Sequence, residues 1–526
     1  MFETVVIEQP ARAATSRSVG LPRIVMTPLP AMETLLKSVP AQVQIASVGY
    51  GSVSTRVYYS TQFARVSRGE SRNPSPCTES CTRRRSAMEP ITRRVFLERS
   101  GRAMLGAAAG LTVLRAWSHS PNDTIGVAIV GLNGQGKTHL RNFSEIEGVR
   151  IVALCDVDER VLQQTGAMVE QRTGARPKLY TDLRQLLEDK EVDAVSTATP
   201  NHWHALLTIW ACQAGKDVYV EKPACWSFEE GEAMVQAARK YNRIVQVGHQ
   251  LRSDPVTRLA VQRAWAGEIG KVYMARGLCY KPRGPIGVQQ DTDPPPWLNW
   301  ELWQGPATRR PFNPNYVHYN WHWFWNYGNG DIGNQGVHQV DVARWFLNKR
   351  YPVKVHSVGG RYGYDDQGET PNTQVATLEY EDGTLLVFEV RGLFTNDEQG
   401  AKIGNLVYGA LGYMSSGDGY QPRRSPQEAL PERENPQRPE LGGTGEPNHY
   451  RNFIQAMRSR RVSDLHCDVE EGVISAQLVH LANIAYRLGR ALRFDPVRKQ
   501  FVGDREANAM LRRQNQPKGF EIPKRV

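Results

Sequence analysis

Seven cysteines are scattered through the 526 residues, at Cys77, Cys81, Cys155, Cys212, Cys225, Cys279 and Cys467. They form no CxxC pair, and no histidines accompany them at zinc-finger spacing. An odd, dispersed set excludes a disulfide framework, and the expectation is small buried hydrophobes and no metal site. Apolar runs of bilayer length are missing as well: Ala103 to Leu114 covers 12 residues, against about 20 for a spanning helix. That excludes a multi-span membrane protein and argues against a stable membrane anchor. The body of the chain also lacks an excess of positive charge. Residues 1 to 120 hold 16 Lys and Arg against 7 Asp and Glu, whereas the rest hold 49 against 47. The net charge of +11 therefore belongs to the N-terminal region, and no nucleic-acid surface is implied for the remainder.

What is present is an ordinary globular balance, 40% hydrophobic and 23% charged, in a chain long enough for two or three domains. From Thr92 the sequence reads TRRVFLERSGRAMLGAAAGLTVLRAWSHS. Arg93 and Arg94, then Phe96 and Leu97, then the apolar run and small residues near Ser118, have the layout of a twin-arginine export signal. Met88 lies just upstream as a candidate start, which leaves 87 preceding residues of uncertain status. The expected organisation is a leader over 1–120, with the signal at 88–120, then a nucleotide-binding domain over 121–248 and a second domain over 249–526. The leader implies export by the twin-arginine machinery to the periplasm, or a cytoplasmic protein if the signal does not function.

Ile125 to Val130, Arg150 to Cys155, Val192 to Ala198, Lys216 to Val220 and Ile244 to Val247 have strand length and composition. Helical stretches separate them at 157–172, 202–214 and 227–241, the last opening with Ser227 and Glu230 at capping-box spacing. Strands alternating with helices specify an α/β domain with a doubly wound parallel sheet. The loop after the first strand is ambiguous. Gly131, Asn133 and Gly136, with Gly134 and Gln135 between, fit a dinucleotide loop with Asn for the middle glycine. Gly131, Gly136, Lys137 and Thr138 equally satisfy GxxxxGK[ST], the phosphate loop of a nucleotidase. Asp156 breaks the tie: it follows the second strand, where a carboxylate accepts hydrogen bonds from an adenosine ribose and repels a 2′-phosphate. NAD is favoured, with NADP left possible by the nearby Arg160. Asp156 also reads as a helix N-cap, and the two roles are compatible.

Three further segments complete an ordered set: STATPNHWHA (196–205), VYVEKPACWS (218–227) and NGDIGNQGVHQVDVARW (329–345). With the glycine loop they resemble the Gfo/Idh/MocA oxidoreductases over roughly 124–490. The resemblance implies a Rossmann domain followed by an α+β domain with a mainly antiparallel sheet, a nicotinamide at their junction, and a homo-oligomer. It implies that Thr199, Asn201 and His204 approach the cofactor, that Glu221, Lys222 and Pro223 form the loop beside it, and that Lys222 and His338 are catalytic. Oxidising a carbinol needs a base for the hydroxyl proton, for which histidine has a suitable pKa by default. It also gains from a cation beside the developing charge on oxygen, and a neighbouring pyridinium would lower the pKa of that lysine. The family's Asp four residues before the histidine is replaced here by Asn334, an amide able to hold a substrate oxygen and unable to relay a proton; Asp331 and Asp341 are the candidate substitutes.

Tyr316 to Gly328, YVHYNWHWFWNYG, is dense in rings that suit the faces of a sugar or else an aromatic core or subunit contact. His318 and His322 have the i, i+4 spacing of helical metal ligands, without accompanying carboxylates. Strands are expected at 272–278, 354–362, 374–380 and 384–391, the last two joined as a hairpin through Glu381-Asp382-Gly383. Proline-rich loops are expected at 281–315 and 421–448, one of them over the site. Amphipathic helices are expected at 449–460 and 470–490, the second with Val473, Leu478, Leu481, Ala485 and Leu488 on its apolar stripe. The composite expectation is an exported NAD(P)-dependent oxidoreductase with tightly held cofactor, acting on a secondary hydroxyl of a sugar, cyclitol or derivative. Redox-neutral NAD-assisted glycoside cleavage or epimerisation is the first alternative. A phosphate-loop nucleotidase and a non-catalytic sugar-binding protein are the others.

Overall fold

The computed structural model describes residues 124–425, 441–523 and 526. The leader, with Arg93, Arg94, Cys77 and Cys81, lies outside the described residues, as does part of the proline-rich segment 421–448. Among the described residues no helix is long and apolar enough to cross a membrane.

Six strands form the first sheet: β1 (Ile125–Val130), β2 (Val149–Cys155), β3 (Lys178–Tyr180), β4 (Ala194–Thr197), β5 (Asp217–Val220) and β6 (Val245–Val247). All pairings are parallel, in the order β3-β2-β1-β4-β5-β6. This is the dinucleotide-binding order, whose direction reverses between β1 and β4 and opens a crevice at the strands' carboxyl ends. The helices are α1 (Gly136–Ser144), α2 (Glu159–Thr173), α3 (Leu183–Leu187), α4 (Asn201–Gln213) and α5 (Phe228–Lys240). Both faces of the strands are covered, which is why β1, IGVAIV, reads as a continuous apolar run and why β4, AVST, is buried throughout. The Glu230 carboxylate reaches back to the Ser227 backbone N–H at 3.2 Å, as their spacing requires. The expected cap at Asp156 is displaced by two residues: Asp158 caps α2, accepting from the N–H groups of Arg160 and Val161.

The second sheet is mixed and mostly antiparallel. Its strands are β7 (Val272–Cys279), β8 (Lys354–Gly360), β9 (Thr373–Glu379), β10 (Leu385–Arg391), β11 (Ile403–Gly409), β12 (Gly412–Ser415), β13 (Arg423–Arg424), β14 (Leu492–Asp495) and β15 (Gln500–Phe501). The order is β13-β12-β11-β7-β10-β9-β8-β14-β15. The expected hairpin is β9 and β10, paired antiparallel, while β7 and β10 run parallel. Six further helices are α6 (Pro255–Trp265), α7 (Trp300–Gln304), α8 (Gly330–Asn334), α9 (Val337–Leu347), α10 (His449–Ser459) and α11 (Val469–Leu488), and a short α12 (Arg505–Ala509) follows.

The stripe expected on α11 is corrected by its surroundings, because the helix is buried on nearly every side. Val469, Val473 and Ala476 join the core of the first sheet, while Leu478, Leu481, Ala482 and Ala485 join that of the second. Each Val or Leu among them contributes about 1.5–3 kcal/mol when fully buried, so this helix fastens the two layers together. Its polar residues are satisfied internally: Gln477 donates to the Phe228 carbonyl at 3.0 Å and Asn483 to the Asn329 carbonyl at 2.9 Å. Cys155, Cys212, Cys225, Cys279 and Cys467 are free and buried, as their apolar contexts suggest.

Candidate active site

The glycine loop is shaped by close contacts at two positions. Gly131 has φ of +83°, and a Cβ there would stand 2.8 Å from the Thr199 nitrogen. A Cβ on Gly136 would come within 1.9 Å of the Gly131 oxygen. By contrast, nothing lies within 4 Å of a Cβ on Gly134, and Asn133, Gly134 and Gln135 are exposed. The tight turn thus aims the N-terminal amides of α1 into an open crevice, the geometry that receives a pyrophosphate. Replacing Gly131 with alanine is expected to destabilise the fold by about 2–4 kcal/mol, from left-handed strain and overpacking together. The checks are the denaturant midpoint and the nucleotide content of the purified protein, and both should fall.

Asp156 stands beside this loop. Its Oδ2 accepts from the Leu132 N–H at 2.6 Å and its Oδ1 from the Asp158 N–H at 2.9 Å. Burial raises its pKa, opposed by those two hydrogen bonds. The proline-rich segment 281–315 folds over the same turn. Trp297 accepts from the Glu159 N–H at 3.0 Å, and the Arg160 guanidinium lies 3.2 Å over the Trp297 ring. Arg160 is further tied to Asp158 at 3.2 Å.

Two residues expected at the cofactor, His204 and Glu221, are buried and bonded to the surrounding loops. The His204 ring is buried, with its nitrogens 2.7 Å from the Pro223 carbonyl and 2.8 Å from that of Thr199. It ties the turn after β4 to the loop after β5. Glu221 is 4% exposed, and its Oε1 meets His139 Nε2 at 3.1 Å and accepts from Gln250 Nε2 at 3.0 Å. Burial would raise the Glu221 pKa, but His139 and then Lys222 hold the carboxyl far below the usual range. Asn201 donates to the Asn329 side-chain oxygen at 3.1 Å, bridging to the segment before α8. Thr199 is half-buried at the crevice, its hydroxyl 3.0 Å from that of Thr197.

Lys222, at the end of β5, reaches across to the second domain and donates from Nζ to the backbone carbonyl of Asn334 at 2.9 Å. His338 stands in the first turn of α9, close enough that the Lys222 charge depresses its pKa. The structure therefore brings Lys222, Asn334 and His338 together beside the crevice. The expectation of an ordinary histidine pKa is corrected: burial first, then Lys222 and His249, hold His338 well below 6.5, so its neutral form persists. Neither candidate substitute for the missing carboxylate touches His338. Asp331 is taken by Arg283 in two bonds at 2.6 and 2.9 Å, and Asp341 by Arg252 at 2.8 and 2.9 Å.

The aromatic segment is mostly core. Tyr316, Trp323, Phe324 and Tyr327 are buried with Trp303 and Phe312, while Tyr319 remains 55% exposed. The helical metal spacing fails because His318 precedes the short turn that contains His322. His318 instead pairs with Asp158 at 3.1 Å, and among the described residues no side-chain cluster suits a metal ion. Sequence reasoning missed His139, Gln250 and His249. The last follows β6 after Gly248 at the carboxyl end of the sheet, a position at which side chains face the crevice and which was a legible signal.

Comparison with known proteins agrees with this fold. A model of the oxidoreductase family's NAD-binding Rossmann fold matches residues 125–249, and one of its C-terminal alpha/beta domain matches 284–520. An inositol 2-dehydrogenase of Saccharopolyspora erythraea is 28% identical over 295 residues, which span 56% of this chain and 73% of that protein. A glycosyl hydrolase family 109 protein of Shewanella baltica is 29% identical over 174 residues, covering 29% of this chain and 38% of that one. In fold, the chain resembles the WlbA dehydrogenase of Bordetella pertussis, crystallised with NADH and UDP-GlcNAcA. The TM-score is 0.54 at 21% identity, covering 71% of this chain and 99% of that one. The strand order removes the phosphate-loop nucleotidase alternative, since Gly136 to Thr138 open a helix of a dinucleotide-binding sheet. With both domain models matched in order over more than two thirds of its length, the chain belongs to the Gfo/Idh/MocA oxidoreductase family and carries its NAD-binding Rossmann domain.

Proposed function

We propose that this protein is an NAD-dependent oxidoreductase acting on a secondary hydroxyl of a sugar, cyclitol or derivative, and that the cofactor stays bound through turnover. The observation that carries the reading is the Lys222 ammonium, held on the Asn334 carbonyl beside a neutral His338 at the mouth of the crevice. The loop from Gly131 to Gly136, with Asp156 and Thr199, would hold NAD; bound there, it supplies a hydride acceptor. His338, neutral across the physiological range, accepts the hydroxyl proton. Lys222 orients the substrate oxygen and offsets charge as it develops. The exposed Tyr319 hydroxyl, bonded to Arg283 at 3.0 Å, offers a polar rim to a polyol.

The retained cofactor follows from the twin-arginine reading of the leader, since that route exports folded proteins to where free NAD is scarce. Export and a homo-oligomeric state are parts of this proposal. A second reading, redox-neutral NAD-assisted glycoside cleavage, is favoured by Asn334, which has no carboxylate to move a proton, and by the family 109 relatives.

Denaturing the purified protein is expected to release NAD in near-stoichiometric amount, identified by chromatography. Sugars and cyclitols are then added to the native protein without free cofactor. Stoichiometric appearance of reduced nicotinamide with no turnover supports the dehydrogenase. Sustained release of free sugar from an aryl glycoside, with no net reduction, supports the second reading.

A further inference from the structure

His249 follows β6 after Gly248, at the position that precedes a short helical turn, and is 1% exposed. Its ring meets that of His338 edge to face, with centroids 5.5 Å apart and planes at 89°. On its other side, Nδ1 is 3.9 Å from the Asp341 carboxylate. Both His249 nitrogens and Nδ1 of His338 are buried without a hydrogen-bond partner among the described residues. Buried nitrogens left unpaired are costly, and three on adjoining rings mark a place where stability has been yielded to another requirement. Asp341 is in turn fixed by Arg252 and accepts from the Ser475 hydroxyl at 2.6 Å, so it cannot swing to reach His338. The one imidazole between base and carboxylate is His249.

We propose that His249 takes the proton from His338, with the Asp341 carboxylate offsetting its charge, and so supplies the relay that Asn334 cannot. The step conserves atoms and electrons. The substrate O–H bond breaks as an N–H bond forms on His338; the proton then leaves the other ring nitrogen, and an N–H bond forms on His249. The Asp341 carboxylate offsets the resulting charge, and the proton returns by the same path when the neutral pair is restored. The groups facing His249 are Asp341 and Glu221, which favour the charged ring, and Arg252 and Lys222, which oppose it, with His338 and His449 as neighbouring imidazoles. Burial first, and then the opposing cations, keep the resting pair neutral, so a relayed proton does not stay trapped.

This rests on the oxidoreductase reading, and its test does not require activity. The full chain, with its 12 histidines labelled with nitrogen-15, is titrated from about pH 3 to 9, because both rings titrate below the ordinary range, by ring-nitrogen correlation spectra. Signals are assigned with His249→Gln and His338→Gln. In the wild type, both rings are expected to report the same two-step titration, the mark of coupled sites. In His249→Gln, the His338 midpoint is expected to rise, because His249 is one of the groups that depress it. Should His249→Gln not fold, the shared steps in the wild type alone decide the matter. Independent single-step titrations, or a His338 curve unmoved in His249→Gln, would overturn the proposal. Coupled rings in a protein with no chemistry on any carbohydrate would count against the proposed function and leave the relay standing. Full NAD-dependent turnover with uncoupled rings would do the reverse.

Discussion

Replacing Lys222 with alanine is expected to lower the rate of nicotinamide reduction about 10³-fold, while bound nucleotide changes by no more than a few-fold. The side chain crosses from the end of β5 to the Asn334 carbonyl at 2.9 Å, so its ammonium is already immobilised where a substrate oxygen would sit beside His338. A fixed donor of that kind acts on charge that develops only during reaction, and its removal costs about 2.7–4 kcal/mol of barrier. Nucleotide binding should survive, because the contacts that shape its crevice come from Gly131, Gly136 and Asp156 and not from this ammonium. Arginine is a poor substitute, since its planar fork cannot reproduce a point donor on one carbonyl. Single-turnover absorbance and the nucleotide released on denaturation separate the two effects. Sugar binding unaffected by the replacement, with no chemistry on any carbohydrate, would return the protein to the non-catalytic alternative.

The parts of the fold that could be read from the chain are those where burial is symmetric. β1, β2, β4 and β5 are covered on both faces, and each ends in a segment with its own signature. β3 is only three residues long, and β11, IGNLVYG, has two glycines and a buried Asn405 in place of a two-residue alternation. Neither gives periodicity anything to detect. The same limit governs α11: Gln477 and Asn483 lie off the expected stripe, and partners from distant segments bury both.

The site divides similarly. Lys222, His338 and the glycine loop announced themselves by ordered motifs, but the character of His338 did not. Its depressed pKa comes from burial, from Lys222 on another domain, and from a histidine after β6, none of which its own segment encodes. The aromatic run failed for a related reason. Ring density alone does not tell a sugar platform from a core, and here Tyr316, Trp323 and Tyr327 pack against the α7 region.

The pair beneath the proposed relay gives the second large effect. Replacing Asp341 with alanine is expected to destabilise the protein by about 3–5 kcal/mol, read from urea unfolding at neutral pH. The carboxylate is fully buried and accepts two bonds from Arg252 and one from Ser475, with Arg344 at 3.7 Å. Without it, two buried guanidinium groups share Glu471 alone. The pH dependence has a definite sign. Burial would raise the Asp341 pKa, but Arg252 and then His249 outweigh burial and hold the carboxyl far below its ordinary value. A depressed folded-state pKa confers stability that is complete above the unfolded value of about 3.9 and is lost as pH falls toward the folded one. The wild type should therefore lose stability in acid over a range in which Asp341→Ala shows a shallower decline. Exchanging both partners for hydrophobic residues, as in Arg252→Met with Asp341→Leu, is expected to recover most of the loss, because two charges no longer have to be desolvated. That double variant would keep the segment after β6 fastened to α9 while removing the carboxylate that faces His249. Restored stability with His338 titrating alone would therefore separate what the ion pair does for the fold from what it does for the proton.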